Sequence, residues 1–296
     1  MIDLHVHSTA SDGTLTPTEL AERSKGFYVM ALTDHDNCDG VAEFLSASAQ
    51  RVAIADGAVR LAGIELSVEP GVGYDKFHLL GLGIDPENEN LKAFLRRVLE
   101  GRNERNAKII GRFADKGIAI PEEEIASYAH GEVLARPHFA NWLVDHGYSP
   151  DVRTAFNAYL TPSSPPETCC YVTRYHPEPE EAFNVIHSAG GVAVMAHPKY
   201  WTKDPLHLRN GLAKLKEFGL DGVEAIYQAN EPEETIDHLR AVKEVGLFAT
   251  AGSDFHGMNK PAIPLGMKVD DEHSFLTPFF ECLNRRRLEA GKGTIP

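Results

Sequence analysis

Leu4-His5-Val6-His7-Ser8 near the start of the chain, and Leu32-Thr33-Asp34-His35-Asp36 further along, decide how the rest is read. Each closes a short, mostly apolar run on histidine. Residues 1–7 (Met-Ile-Asp-Leu-His-Val-His) and 28–33 (Tyr-Val-Met-Ala-Leu-Thr) have the length and apolar content of strands buried on both faces. The pattern returns at 192–196, followed by His197-Pro198, at 222–226, and at 247–251, which runs into Gly252-Ser253-Asp254-Phe255-His256. Residues 61–67 and 77–84 read as two more strands. Helical stretches lie between. Thr16 is a good N-cap, with Pro17 at the first helical position and Glu19 two residues on, and 91–116, 179–189 and 233–245 follow. The link Lys25-Gly26-Phe27 leaves little room for a helix end before the second strand. Strands alternating with helices predict a parallel sheet or barrel.

That rhythm breaks between about residues 100 and 168, a helical region that ends in the turn-rich Leu160-Thr161-Pro162-Ser163-Ser164-Pro165-Pro166. The expected organisation is a barrel in two parts, 1–99 and 169–296, with a helical substrate-capping insertion at 100–168. The 296 residues, 43% hydrophobic and 24% charged, suit a globular α/β protein with a sizeable core. No apolar run is long enough to span a membrane, and the N-terminus has neither the basic nor the apolar region of a secretion signal, so a cytoplasmic location is expected. The formal net charge of −14 argues against long nucleic acid as a partner. A small phosphate remains compatible, because bound metal ions invert the local field. Cys38, Cys169, Cys170 and Cys282 have no metal-knuckle or redox spacing and read as free thiols.

The histidines and carboxylates fall where strands end. His5 and His7, two apart, point to one face of a strand. Asp12 follows in Ser11-Asp12-Gly13. His35, Glu65, His197, Asp254 and His256 each lie at or near the end of a strand-like run, and His78 begins one. In parallel α/β folds those ends open onto one rim, so the set converges. Any one of them could be a surface or core residue; together they predict a metal site. Imidazole and carboxylate donors suit Zn, Mn or Fe better than Ca or Mg alone.

These segments, with Gly63-Ile64-Glu65, Phe77-His78-Leu79 and Ala196-His197-Pro198, resemble in order the motifs of the PHP (polymerase and histidinol phosphatase) family, over the whole chain except the insertion. The resemblance implies a distorted (β/α)7 barrel with three divalent metal ions, Mn first, with Fe and Zn as alternatives. By that resemblance, His5, His7, Glu65 and Asp254 hold one ion. Asp12, His35 and His256 hold a second. Glu65 bridges to a third, held by His78 and His197. Every ligand position carries a competent side chain.

Gly101-Arg102-Asn103-Glu104-Arg105 and Ala135-Arg136-Pro137-His138-Phe139 resemble the segments that close over substrate in the nucleotide-phosphatase branch of the family. Arg102, Arg105, Arg136 and His138 are therefore expected to bind phosphate, since a guanidinium forks onto phosphate oxygens. The competing reading of Arg102 and Arg105 is a solvated helix face. The expected reaction is hydrolysis of a phosphate ester on a small phosphorylated ribose or nucleotide, either a ribose cyclic phosphodiester or a nucleoside 3′,5′-bisphosphate. Metal ions neutralise the ester and lower the pKa of the attacking water. His197 and Asp254 are the candidates for assisting the leaving group. Alternatives are 5′–3′ cleavage of short oligoribonucleotides and a metal-dependent amide or lactone hydrolase. The latter would not need Arg102 or Arg136.

Overall fold

The apolar runs that end in histidine form neighbouring strands of one sheet. A computed structural model of the chain describes residues 1–45, 52–55 (backbone only), 58–69, 76–129 and 133–295. The strands are β1 (Ile2–Val6), β2 (Val29–Leu32), β3 (Val52–Ala55), β4 (Ala58–Val68), β5 (Phe77–Leu82), β6 (Val192–Met195), β7 (Gly222–Tyr227) and β8 (Phe248–Gly252). Their order is β1-β2-β4-β5-β6-β7-β8, with β3 paired to β4 as an outer hairpin that the sequence pattern does not announce. Val6 meets Phe255 in a parallel bridge, and the amide of His7 donates to the Phe255 carbonyl at 3.0 Å. This brings the end of β1 against the segment after β8, so the seven-stranded path is a nearly closed barrel.

The all-parallel expectation holds on either side of β5 and fails at it. β1, β2 and β4 run parallel, as do β6, β7 and β8, but β5 is antiparallel to both its neighbours. The reversal follows from the connection after β4, which is too short for a crossover helix and returns the chain alongside it. It also explains why His78 stands at the start of its strand: in an antiparallel partner, the start lies at the rim where the others end.

The helices are α1 (Pro17–Arg23), α2 (Val41–Phe44), α3 (Glu89–Asp115), α4 (Glu122–Ala126), α5 (Arg136–Asp145), α6 (Val152–Ala155), α7 (Pro179–Ser188), α8 (Pro205–Phe218), α9 (Pro232–Val245) and α10 (Glu272–Glu289). The capping box read at α1 is present. Thr16 Oγ1 accepts from the Glu19 amide at 3.2 Å, and Glu19 Oε2 accepts from the Thr16 amide at 2.8 Å. The tight Lys25-Gly26-Phe27 link is accommodated because Gly26 adopts φ 83°, where a side chain would be strained. Among the described residues no helix is long and apolar enough to cross a membrane.

Barrel strands are buried on both faces. One face packs on the helices, with Met30, Ile64 and Met195 against Leu20, Phe44, Phe183 and Leu212. The other face gathers Leu4, Ala31, Leu80 and Val194 with Phe279 and Leu283 of α10. A third cluster, including Ile109, Phe113, Phe139, Trp142 and Leu160, belongs to the helical region. The expected boundary at residue 100 falls inside α3. The first half of α3 (Leu91, Phe94, Val98) packs on the barrel and the second half (Ile109, Phe113) in the helical region.

Candidate metal centre

The nine residues read from the strand ends meet at the barrel rim. His5 and His7 project from one face of β1, with Nε2 atoms 3.1 Å apart. Both face Glu65 Oε2, at 3.3 and 3.1 Å, and Asp254 Oδ1, at 3.6 and 3.4 Å. Asp12 gathers a second group: Oδ1 lies 3.3 Å from His256 Nε2, and Oδ2 lies 3.8 Å from His35 Nε2. Glu65 Oε1 draws in His78 Nδ1 at 2.7 Å and His197 Nε2 at 3.1 Å. Ligand atoms converge within 4.8 Å of one another in three sets: His5, His7, Glu65 and Asp254; His7, Asp12, His35 and His256; His35, Glu65 and His78.

Local backbone geometry aims these groups. Asp36, His197 and Asp254 have φ of 55°, 27° and 59°, a region that side-chain-bearing residues avoid at a cost of about 1–3 kcal/mol each. Surrounding bonds hold them there. The Asp254 amide donates to the His5 carbonyl at 2.9 Å, and the His197 amide donates to Glu224 Oε2 at 2.8 Å. Asp34 accepts from the Ser8 amide and from the hydroxyls of Ser8 and Ser11, fixing the loop that carries Asp12. Asp254 Oδ2 accepts from Tyr227 and from Lys260, at 3.1 and 2.7 Å.

Burial alone would raise the pKa of Glu65, Asp12 and Asp254, but the imidazoles around them hold all three well below the ordinary carboxylate range. The residues fit a cluster of divalent cations. Among the described residues, Asp12 Oδ1, His35 Nδ1 and Glu65 Oε2 are buried without a hydrogen bond of good geometry, their nearest polar neighbours being other candidate ligands, with His35 Nδ1 2.9 Å from Glu65 Oε2 and Asp12 Oδ1 3.3 Å from His256 Nε2. An unsatisfied buried polar atom costs about 1–3 kcal/mol, and three around one point are expected where a cation supplies the missing partner. The donors are imidazole nitrogens and carboxylate oxygens, the set that Mn, Fe and Zn accept.

Beside the centre lies a cavity of about 340 Å³. Asp12, His35 and His78 line it together with Arg102, Arg105, Arg136 and Arg174. The solvated-face reading of Arg102 and Arg105 fails, since they are 5% and 4% exposed. Arg102 Nε donates to Asp36 Oδ2 at 2.8 Å, and Arg174 Nη2 donates to the same oxygen at 2.6 Å. Arg136 donates to the Leu160 carbonyl and lies over the Tyr171 ring at 5.5 Å. Arg105 Nε and Nη2 have no hydrogen-bond partner among the described residues. Burial, together with Arg102, Arg174 and Arg136, pushes the Arg105 pKa down to about 9, a strain that a bound anion would relieve. His138 is not among the described residues lining the cavity. Its Nδ1 accepts from the Ala135 amide at 3.0 Å, which ties off the start of α5.

Several contributors escape a reading of the sequence. Glu224 sits inside an apolar strand and looks like an isolated charge. Arg174, Lys76 and His176 lie outside the motifs, and only the Thr173-Arg174-Tyr175-His176-Pro177 string, rich in side-chain donors before a proline, could have drawn attention.

A PHP domain model matches residues 3–131. The chain is 35% identical over 272 residues to a 3′,5′-nucleoside bisphosphate phosphatase of Chromobacterium violaceum, spanning 91% of this chain and 92% of that one. It is 32% identical over 279 residues to a 5′–3′ exoribonuclease of Escherichia coli (90% and 88% covered). It is 28% identical over 275 residues to a phosphoribosyl 1,2-cyclic phosphate 1,2-diphosphodiesterase of Eggerthella lenta (90% and 98% covered). Among solved structures, a Chromobacterium violaceum amidohydrolase with bound sulfate and no metal superposes with a TM-score of 0.81 at 34% identity, covering 96% of each chain. Rim geometry, barrel and relatives agree: the chain belongs to the PHP family of metal-dependent phosphoesterases.

Proposed function

We propose that the protein hydrolyses a phosphate ester on a small ribose derivative that carries a second phosphate. A nucleoside 3′,5′-bisphosphate is the leading candidate, and a phosphoribosyl cyclic phosphate belongs to the same class. The observation that carries this reading is Arg105, whose Nε and Nη2 have no hydrogen-bond partner among the described residues and which lines the same cavity as Asp12, His35 and His78. A group of arginines and a candidate metal cluster lining one cavity offer two kinds of site for anionic oxygen, which suits a substrate with two phosphates. The C. violaceum and E. lenta relatives, named for a bisphosphate and a cyclic phosphate, support the same class.

In this reading His5, His7, Glu65 and Asp254 hold one cation, Asp12, His35 and His256 a second, and Glu65, His78 and His197 a third, with Mn as the favoured metal. Bound cations supply charge neutralisation at phosphorus and a water of lowered pKa. Arg105 and Arg136 grip the phosphate that is not cleaved, and Arg102 and Arg174, braced on Asp36, close that subsite. His138 is left to cap α5. Asp254 is better suited to holding metal than to moving a proton, because its second oxygen already accepts from Tyr227 and Lys260. His197, at the rim with Nε2 3.1 Å from Glu65 Oε1, is retained as the group that assists the leaving oxygen.

A second reading, 5′–3′ cleavage of short oligoribonucleotides, is favoured by the E. coli relative. In it, the arginines receive a terminal 5′-phosphate. Phosphate release with Mn²⁺ from adenosine 3′,5′-bisphosphate, a phosphoribosyl cyclic phosphate, AMP and a 5′-phosphorylated oligoribonucleotide separates the readings. Release from the first two that EDTA and His5→Ala both abolish is the expected outcome. No release from any ester, with turnover of an amide or lactone, would sink the phosphoesterase assignment.

A further inference from the structure

Glu224 lies on β7 with no solvent exposure and touches no part of the substrate cavity, yet each of its oxygens serves a different candidate ligand. Oε1 is 3.0 Å from His5 Nδ1. Oε2 accepts from the His197 amide at 2.8 Å. A carboxylate oxygen in this role accepts, so a neutral, metal-binding His5 carries its proton on Nδ1. That leaves the lone pair on Nε2, the nitrogen that faces Glu65 and Asp254. His197, at φ 27°, is in a conformation that its own sequence does not favour, and the bond to Glu224 is what its amide gains there.

Two features of the surrounding chain make room for this contact. The β7–β8 register shifts between Glu224 and Ile226, so β7 departs from regular pairing next to Glu224. Position 252 on β8 is glycine. A Cβ there would stand 2.1 Å from Glu224 Oε1 and 2.5 Å from His5 Cβ, although Gly252 has no positive φ to demand a glycine.

We propose that Glu224 is the positioning residue of the metal centre. It fixes the tautomer and orientation of His5 and pins the backbone of His197, so that ligands from two distant strands stay poised together. The inference rests on the reading of His5 and His197 as metal ligands. Carboxylate partners of ligating histidines characteristically carry about a 10–100-fold share of metal affinity.

The test uses the full chain stripped of metal and titrated with Mn²⁺ against a fluorescent chelator, for wild type, Glu224→Gln and Gly252→Ala. Glu224→Gln keeps the shape but cannot accept from both donors through oxygen. The expected result is a loss of about 10–100-fold in Mn²⁺ affinity, with the melting temperature of the metal-free protein close to wild type. Long-range ¹⁵N–¹H spectra should show His5 moving from one tautomer to a mixture. Gly252→Ala should weaken Mn²⁺ binding in the same way, although it removes no donor. Wild-type affinity and an unchanged His5 tautomer in Glu224→Gln would overturn the proposal, reducing Glu224 to a core residue. A wild-type chain that binds no Mn²⁺ would overturn the proposed metal chemistry itself, and this inference with it.

Discussion

Arg105 concentrates the conflict between stability and function in one side chain. Its guanidinium is buried, two of its nitrogens make no hydrogen bond among the described residues, and the charges acting on it include three of the same sign. A group in that state destabilises the free protein and strengthens the complex with an anion. Arg105→Met is therefore expected to raise the melting temperature while raising KM for a bisphosphate at least tenfold, in line with about 1.5–3 kcal/mol for a charged hydrogen bond. A fall in both stability and affinity would show that Arg105 is structural. His176, on the same cavity, gives a pH signature. Burial first, then the cations Arg174 and Lys76, push its pKa down to about 4, against the pull of Glu69 at 3.1 Å and of Asp36. The unfolded chain takes up this proton near pH 6.5, before the folded chain does. Stability is therefore present above 6.5 and lost as pH falls toward 4, by on the order of 1–3 kcal/mol. Urea melts between pH 7 and 4 should show this slope, reduced in His176→Gln.

At the scale of elements, the reversal of β5 decides where one ligand comes from. In the expected parallel arrangement His78, at the beginning of its strand, would have sat at the far end of the barrel. Antiparallel pairing, with Ser67 opposite His78, puts it two residues from Glu65 along the neighbouring strand. The hydrophobic pattern of 77–84 is the same for either direction, so only the length of the preceding connection distinguishes them. Helix α8 shows packing overriding propensity. Gly211 lies in its interior, where alanine is favoured by about 1 kcal/mol. A Cβ there would stand 2.1 Å from Trp201 Cη2. Gly211→Ala is expected to destabilise the protein by about 1–3 kcal/mol, the range for overpacking, because Trp201 must shift. Since Trp201 follows His197 and Tyr200, the same variant should also weaken Mn²⁺ binding; a stabilised variant with normal binding would contradict this account.

Across the whole molecule, strands that are far apart in the chain are tied together through one carboxylate. Glu65 lies within 3.3 Å of His5, His7, His35, His78 and His197, which come from four different strands or strand ends. Cations bound there should stabilise the entire barrel by mass action, by about 2.7 kcal/mol at a hundredfold excess over Kd. Removal by EDTA should lower the melting temperature and abolish phosphate release, and added Mn²⁺ should restore both; a melting temperature indifferent to metal would disconnect the cluster from the fold. The sequence by itself determined the alternation of strands and helices, the capping of α1 and the identity of the rim residues. Those features are local: burial, periodicity and a histidine at a strand end are written in consecutive residues. Only the tertiary structure decided the bracing of Arg102 and Arg174 on Asp36 and the two-handed contact of Glu224. These two contacts join residues far apart in the chain, and their bonds form only after the barrel closes, so no short window of sequence carries their signal.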